Sequence, residues 1–322
     1  MKLGIIGAGG IARKMAYTVN QMEKVEMYAI GSRSEERARQ FAEEQGVQKA
    51  YGSYEELVSD PKVDLVYVAS PHSHHYEHMM LALEHGKPVL CEKSFTTNTK
   101  QAKEVIAFGK SKGLLVAEAI WTRYLPMRLV LDQVLERRVI GEVHSLTANL
   151  GYPVMAAKRI VDPALSGGAL LDVGVYPINF AMMVLGNQIE AIDSTCVKME
   201  SGVDESNAMT LTFKGGKLAV LHSTVNAMTD RRGVIFGTRG YIEFLNINNC
   251  EGINVYDREY NLVETYKPFK FITGFEHQVE ACRLALEEGA VEVKQMPHSE
   301  IINVMQIMDT IRGQWGLKYP GE

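Results

Sequence analysis

The scarcity of cysteine excludes most disulfide frameworks and cysteine-based metal sites. The 322 residues include only four cysteines, at positions 91, 196, 250 and 282. None of them stands at the C-x-x-C spacing of a zinc site or a dithiol redox motif. Since disulfide frameworks are also unusual in a chain of this size, we expect reduced thiols and a cytoplasmic location.

A strong charge of one sign and long apolar runs are also absent. The 34 Lys and Arg residues nearly balance 39 Asp and Glu, for a formal net charge of −5, which argues against general affinity for nucleic acid or anionic membrane. No apolar run reaches the roughly 18 residues of a membrane span. The apolar start of the chain meets Arg13 and Lys14 before any cleavage site, so we expect no signal peptide. Length and a 46% hydrophobic content predict about two globular domains with their own cores.

The first part of the chain alternates between strand and helix patterns. Strands are predicted at residues 3–6, 25–30, 64–69, 88–91 and 114–117, with helices at 12–20, 34–45, 75–84 and 99–112. The run at 64–69 is continuously apolar, as in strands that are buried on both faces. This alternation predicts parallel βαβ units, and hence an α/β Rossmann domain with a doubly wound parallel sheet over residues 1–119.

After about residue 118 the pattern changes to an α+β type. Helices are predicted at residues 125–138, 169–185, 275–288 and 299–315. Between them, strands are predicted at 143–151, 189–199, 208–213, 218–225, 234–236, 241–245, 253–256 and 262–266. Their period-two alternation, broken by Gly and Asn turns, predicts a large, mostly antiparallel open sheet in a second domain over residues 120–322. The last helix is a candidate to pack back on the Rossmann domain.

A glycine-rich turn follows the first predicted strand. In Gly7-x-Gly9-x-x-Ala12, the first glycine permits a tight turn, the second lets a pyrophosphate approach the backbone, and Ala12 lets the helix pack on the strand. The turn opens a helix, whose N-terminus offers free N–H groups and a positive dipole end to phosphates. Glycines also serve ordinary turns, but the strand before and the helix after favour dinucleotide binding by Gly7, Gly9, Gly10 and Ile11.

The end of the second predicted strand bears on the choice of dinucleotide. An NAD site usually places Asp or Glu there, on the ribose 2′-hydroxyl. This chain has Ser32 and Arg33 instead, and a guanidinium suits a 2′-phosphate because its planar fork donates hydrogen bonds in pairs. A solvated arginine at a helix start is the alternative. The pattern favours NADP(H), with NAD as the other possibility.

Four further motifs follow in order: ASPHSHH from residue 69, GKPVLCEK from 86, EAIWTRY from 118 and GGALLDVGVY from 167. Together they resemble the glucose-fructose oxidoreductase / inositol dehydrogenase / rhizopine-catabolism (Gfo/Idh/MocA) family over nearly the whole chain. Within that family the chain is most similar to the subgroup of dimeric dihydrodiol dehydrogenases and NADP-dependent D-xylose dehydrogenases. Most members carry His where this chain has Tyr176, and that subgroup carries Tyr.

The resemblance implies a Rossmann domain followed by an α+β domain whose sheet commonly forms the subunit interface. It implies a lysine at the nicotinamide, Lys93, and catalytic groups from the Asp-x-Gly-x-Tyr segment, Asp172 and Tyr176. The other residues assigned to the cofactor are Ala69, Ser70, His72, His75, Glu92, Trp121 and Arg123. Where the family has proline after the Glu-Lys pair, this chain has Ser94, which predicts a looser turn.

Three of these residues suit the oxidation of an alcohol. A phenol, with a free pKa near 10, is too weakly acidic to act as a base at neutral pH unless a cation lowers that pKa. Tyr176 is the predicted acid/base and Lys93 the cation. Asp172 lies four residues before Tyr176 and so on the same helix face, where it can orient the pair or bind a substrate hydroxyl. The alternatives are a packed helix tyrosine, a solvated lysine and an ordinary first-turn aspartate.

The histidines at 72, 74, 75 and 78 include pairs at helical metal-ligand spacing. No carboxylate or cysteine set completes a site, so we predict no metal. Apart from His75, we expect them at the surface or in loops. For Trp121, the alternative role is packing at the domain interface. His277, at the start of a late helix, is a further candidate to reach the active-site cleft.

These observations predict an oxidoreductase that transfers a hydride between NADP(H) and a hydroxyl or carbonyl of a sugar, polyol or cyclic diol. One alternative is an NAD-linked inositol or sugar dehydrogenase. Another is a non-catalytic NAD(P)-binding sensor, although a sensor need not keep Lys93, Asp172 and Tyr176. The expected partners are a small-molecule substrate and further copies of the chain, in a homodimer or homotetramer formed through the second domain's sheet, whose face needs a cover.

Overall fold

The computed structural model describes all 322 residues, which form two compact units. The first comprises Met1–Trp121 and Phe271–Ile302, and the second comprises Thr122–Lys270 and Asn303–Glu322. The sequence-based division at residue 119 placed residues 271–302 with the second domain. They belong to the first unit because they bond to its edge: the Val116 amide donates to the Val291 carbonyl at 3.0 Å, and His298 Nε2 lies 2.9 Å from the Val116 carbonyl.

The first unit is built on a six-stranded parallel sheet in the order β3-β2-β1-β4-β5-β6. Its strands are β1 Lys2–Ile6, β2 Glu26–Gly31, β3 Lys49–Tyr51, β4 Leu65–Val68, β5 Val89–Glu92 and β6 Val116–Ala119. Its helices are α1 Gly10–Val19, α2 Glu35–Gln45, α3 Tyr54–Ser59, α4 His75–Glu84, α5 Thr99–Lys112 and α9 Glu276–Glu287. The doubly wound Rossmann sheet is confirmed. The sequence pattern did not indicate β3 and α3, which are too short to show a period.

The second unit carries an eight-stranded sheet in the order β14-β13-β12-β11-β7-β10-β9-β8. Its strands are β7 Val143–Gly151, β8 Ile189–Lys198, β9 Asp204–Phe213, β10 Lys217–Thr224, β11 Gly233–Gly237, β12 Gly240–Leu245, β13 Gly252–Asp257 and β14 Leu262–Tyr266. Only the β7/β10 pair is parallel. The helices are α6 Pro126–Glu136, α7 Lys158–Val161, α8 Val175–Leu185 and α10 His298–Trp315, the last of which begins in the first unit. The mostly antiparallel sheet is confirmed.

The helix predicted at residues 169–185 is two kinds of helix in succession. Leu170–Gly174 forms a π-helical turn, and α8 continues from Val175. π-Helical turns within helices are rare and often occur at functional sites. This one contains Asp172, and the α-helix that follows contains Tyr176, so the two candidate catalytic residues lie on either side of the change in helical pitch.

By length and composition, the stretch Pro163–Leu185 passes as a candidate membrane span, which the sequence analysis did not anticipate. Most of its apolar window is buried inside the fold. α8 packs against β7 and β10, and every residue from Val175 to Met182 is buried. Burial against the sheet therefore accounts for its apolar character.

Candidate active site

The glycine turn forms an open cradle at the end of β1. Gly7 has φ +100°, a backbone conformation that favours glycine, and a Cβ placed there would lie only 3.1 Å from the Ala69 carbonyl oxygen. Any other residue at this position would be strained. A Cβ on Gly9 or Gly10 would meet no atom within 4 Å. No side chain caps the first turn of α1, which leaves its N–H groups available. These features fit a dinucleotide pyrophosphate, which binds where glycines leave room beside a helix N-terminus.

Ala69 and Ser70 flank this cradle because β4 lies beside β1. The strand order reverses between these two strands, and in open α/β sheets ligands bind at that reversal, outside the carboxyl ends of the strands. The Ala69 amide donates to the Ile6 carbonyl at 2.9 Å, which ties the turn after β4 to the end of β1. The predicted positions of both residues at the dinucleotide cradle thus follow from the sheet order.

Ser32 and Arg33 lie at the end of β2, where the 2′ position of the ribose is expected. Ser32 is buried and the Arg33 side chain is exposed. Burial raises the pKa of the Tyr54 phenol, and the nearby Arg33 guanidinium opposes that rise. The Tyr54 ring packs edge-on against His78, 4.6 Å between centroids. Tyr54 could not be identified from the sequence, because its short helix α3 shows no periodic pattern.

His75 joins the turns that follow β4 and β5. It is fully buried at the start of α4, with Nε2 2.8 Å from the Ser70 carbonyl and Nδ1 2.9 Å from the Ser94 carbonyl. Burial lowers the pKa of His75 to about 4, so the ring is neutral at pH 7 and donates to one of these two carbonyls. Ser94 is itself fully buried, and the looser turn expected at this position stays a prediction.

Two further histidines of this cluster are buried, contrary to the sequence analysis, which placed them at the surface or in loops. His72 packs edge-on against His75, and His78 lies on the inner face of α4, where its Nδ1 is 2.9 Å from the Ser70 hydroxyl. Burial is the main cause that lowers the pKa of His78 to about 4, and the nearby His74 adds to this effect. The helical period of α4 turns this residue inward. Nowhere in the chain are three or more His, Cys, Asp or Glu side chains grouped to hold a metal ion.

Glu92 and Lys93 end β5. Glu92 is buried and accepts a short hydrogen bond from the Tyr67 hydroxyl. Burial raises the pKa of this carboxyl, while Tyr67, Lys93 and Lys14 oppose the rise. Lys93 is half-buried beside it. The carboxyl end of the parallel sheet thus places a buried carboxyl next to a half-buried lysine.

Lys14 on α1 is a residue that the sequence analysis did not single out. Its ammonium lies 4.9 Å from the ring centroid of Trp121 and 4.3 Å from that of Phe275, and the two rings pack edge-on at 5.0 Å. Burial lowers the pKa of Lys14, against the opposing effect of Glu92 and Glu276. Trp121 therefore has a packing role inside the first unit. No local pattern could show this cluster, because its members are more than 100 residues apart.

In the second unit, Asp172 is paired with an arginine. The Asp172 carboxylate is buried and accepts a hydrogen bond from Arg159 Nη1, and the two side chains form an ion pair. The Arg159 side chain is 49% exposed, so its remaining N–H groups are within reach of solvent. Tyr176, on α8, is also buried, with 9% of the residue exposed. Arg159 was missed because it lies in α7, a four-residue helix that carries no motif.

Arg123 is the other predicted residue of the second unit, and it is buried. Its Nε donates to Asn179 Oδ1 at 2.6 Å, and the Asn179 amide donates to the Val175 carbonyl at 2.8 Å. Arg123 is thus attached to α8, the helix that carries Tyr176. His277, the remaining candidate, lies in the first unit, where its half-buried ring packs against Phe271.

Two family models match the chain. One, "Oxidoreductase family, NAD-binding Rossmann fold", covers residues 1–119, and the other, "GFO/IDH/MocA C-terminal domain", covers residues 129–243. The chain belongs to the Gfo/Idh/MocA oxidoreductase family. This confirms the resemblance drawn from the sequence motifs. As a member of the family, the protein is an NAD(P)-dependent oxidoreductase with a Rossmann domain.

Among the relatives in the Gfo/Idh/MocA family are trans-1,2-dihydrobenzene-1,2-diol dehydrogenases. That of Danio rerio is 33% identical over 99% of this chain and 98% of its own length, and that of Homo sapiens is 31% identical over the same shares. A 3-ketoreductase from Actinomadura kijaniata, solved with NADP and TDP-benzene, is similar with a TM-score of 0.89 and 26% identity, covering 97% of each chain. An aldose-aldose oxidoreductase from Caulobacter crescentus shares the fold, with a TM-score of 0.87 and 20% identity over 98% of each chain.

Proposed function

We propose that this oxidoreductase transfers a hydride between NADP(H) and a hydroxyl or carbonyl group of a sugar, polyol or cyclic diol. The observation that carries the proposal is the open cradle of Gly7, Gly9 and Gly10, with Ser32 and Arg33 at the neighbouring strand end. The absence of an acidic residue there supports NADP over NAD. The dihydrobenzenediol dehydrogenases and the NADP-bound 3-ketoreductase support the substrate class.

The proposed roles of the chain's own residues follow from their chemistry. The nicotinamide, when bound, accepts or supplies the hydride. Tyr176 exchanges the proton of the substrate hydroxyl, and the Lys93 ammonium stabilises the phenolate that this exchange creates. Asp172, held by Arg159, orients a substrate hydroxyl. What supports grouping Lys93 with Asp172 and Tyr176 is the family pattern, in which the Glu-Lys and Asp-x-Gly-x-Tyr motifs both supply active-site groups.

The experiment is a turnover assay with purified protein, NADPH or NADP, and a panel of carbonyls and diols. Tyr176→Phe and Lys93→Met should each lower kcat at least about 100-fold, the usual worth of acid–base catalysis. Tyr256→Phe and Lys112→Met are the matched controls, since Tyr256 bonds to Glu243 in the sheet and Lys112 ends α5 at the surface. Unchanged turnover in both site variants would contradict the assigned roles. Tight NADP binding without turnover on any substrate would favour the sensor.

We also propose that the protein is a homodimer or homotetramer formed through the eight-stranded sheet. Leu218 and Phe236 both pair with Ser145, so they lie in one row across the sheet, and they are 36% and 38% exposed. Val220, 46% exposed, lies in the next row. A sheet face that exposes several large apolar side chains is suited to burial against another copy of the chain. Val220→Lys together with Phe236→Glu should yield monomers by light scattering, and an unchanged mass would contradict this interface.

A cytoplasmic location remains a prediction. All four cysteines are free thiols, and Cys91, Cys250 and Cys282 are buried. Free thiols suit a reducing compartment. Cell fractionation with antibodies against the protein would test the location.

A further inference from the structure

A buried carboxylate lies directly beneath the π-helical turn of the second unit. Asp204, the first residue of β9, is fully buried. Its Oδ2 accepts a hydrogen bond from the backbone N–H of Leu170 at 2.8 Å and another from Asn207 Nδ2 at 2.8 Å. Leu170 is the first residue of the turn, where backbone N–H groups have no partner within the helix. The carboxylate therefore satisfies a donor that the helix start leaves open.

The network continues under the turn to its far end. Ser223, fully buried on β10, donates to Asn207 Oδ1 at 2.7 Å. A Cβ on Gly168, just before the turn, would lie 2.3 Å from Asp204 Oδ1, and a Cβ on Gly174, its last residue, would lie 2.9 Å from Ser223 Oγ. Both ends of the turn thus rest on this polar network without room for a side chain.

The surroundings of Asp204 hold a titratable carboxyl in a fully buried position. Burial raises the pKa of Asp204 to about 6, against the hydrogen bonds from Asn207 and Leu170 and the charge of Arg312 on α10. The other titratable groups facing it are Tyr319, in the C-terminal segment, and Cys196 on β8, and the carboxylate contributes to raising the pKa of each. An ionised carboxylate loses favourable hydration when it is buried, which costs free energy of folding. Packing alone therefore does not explain an aspartate at this position.

The C-terminal segment secures the same place from the other side. The Tyr319 hydroxyl donates to the Gly167 carbonyl at 2.6 Å, and Arg312 stacks on the Tyr319 ring at 4.8 Å. Arg312 is also ion-paired with Glu322 at 2.7 Å. Gly167 and the turn that follows are therefore held by a strand residue below and by the end of the chain beside them.

We propose that Asp204 is a positioning residue that fixes the π-helical turn, and through it sets Asp172 and Tyr176 for reaction. The proposal rests on the proposed function, in which these two residues act on the substrate. A displacement of catalytic groups by about 1 Å can cost about 100-fold in rate. The hydrogen bond to the Leu170 amide is the contact through which Asp204 acts.

The test compares Asp204→Asn, which keeps the shape, with Asp193→Asn, an exposed aspartate on β8. We expect Asp204→Asn to lower kcat about tenfold and to leave the Kd for NADPH within about twofold of the wild-type value. The rates of amide hydrogen exchange over residues 168–176 should rise about tenfold, because the turn loses the contact that fixes it. In the wild type, kcat should fall as the pH drops through about 6, where Asp204 takes up a proton. This acid limb should be missing in Asp204→Asn, while Asp193→Asn should match the wild type in every measurement.

The outcomes separate this proposal from the proposed function. If the wild type turns over no substrate, the proposed function fails, and unchanged amide exchange in Asp204→Asn then overturns the positioning role as well. If the wild type is active and Asp204→Asn keeps both its kcat and its acid limb, the positioning role is overturned whatever the exchange shows. Should Asp204→Asn fail to fold, Ser223→Ala removes only the far end of the network. It should lower kcat severalfold, and unchanged kcat would overturn the proposal.

Discussion

Arg159 holds the carboxylate of Asp172: the guanidinium donates to Oδ1 of a side chain that is 8% exposed, while about half of the arginine stays in contact with solvent. The pair links a short helix with no recognisable motif to the turn that contains a predicted catalytic residue. The carboxylate is therefore oriented before any substrate arrives, and the outer N–H groups of Arg159 can meet substrate oxygen atoms.

Replacing Arg159 tests this relationship. Arg159→Met should lower kcat at least about tenfold, because a buried carboxylate that loses its paired cation reorients or takes up a proton. Arg159→Lys should restore part of the loss, since it keeps the charge without the planar fork. In a double-mutant cycle with Asp172→Asn, the double variant should be no slower than the slower single variant. Fully additive losses would show that Arg159 does not act through Asp172.

Arg33 should set the preference for NADP. Arg33→Ala should raise the Kd for NADP about 10- to 100-fold, because a charge-assisted hydrogen bond is worth about 1.5–3 kcal/mol. The Kd for NAD, which lacks the 2′-phosphate, should change less than about twofold. Fluorescence titration of both dinucleotides provides the measurement, and Arg37→Ala, an exposed arginine in the first turn of α2, is the control. If NADP binding is unaffected by Arg33→Ala, the phosphate is bound elsewhere.

Gly168 should tolerate no side chain. Its φ is +113°, and a Cβ would lie 2.3 Å from Asp204 Oδ1, so Gly168→Ala combines backbone strain with a clash. We expect a loss of about 3 kcal/mol in the free energy of unfolding. Gly202→Ala is the matched control: its φ is +91° but a Cβ there meets nothing within 4 Å, so it should lose only about 1 kcal/mol. Equal losses in urea denaturation would contradict the clash.

His75 should make the protein sensitive to acid. Burial lowers its pKa from 6.5 to about 4, so between these values the unfolded chain binds a proton that the folded chain does not. Stability from this group is present above pH 6.5 and is lost as the pH falls, by about 2 kcal/mol at pH 5. Urea denaturation at pH 7 and pH 5 should show a smaller pH effect in His75→Gln than in the wild type. His85→Gln, at the exposed end of α4, should behave as the wild type does.

The dinucleotide cradle and the architecture could be predicted from the sequence, because both depend on local order. Gly7, Gly9 and Ala12 lie within six residues, and their meaning comes from the strand before them and the helix after them. Period-two and continuous apolar runs placed every strand of both sheets except β3, since these patterns report which faces of a strand are buried. The motifs around Lys93, Asp172 and Tyr176 likewise identified the family.

Only the tertiary structure decided how those motifs are supported. Asp204 lies 34 residues from Leu170, Arg159 lies 13 from Asp172, and Phe275 lies far from Lys14 along the chain. Their partners are brought together by strand order and by the return of residues 271–302 to the first unit. A sequence pattern reports the burial of neighbours at a regular period, whereas a hydrogen bond or ion pair between distant residues depends on how the sheets and helices pack. The candidate catalytic residues could therefore be named from the sequence, and the residues that hold them in place could not.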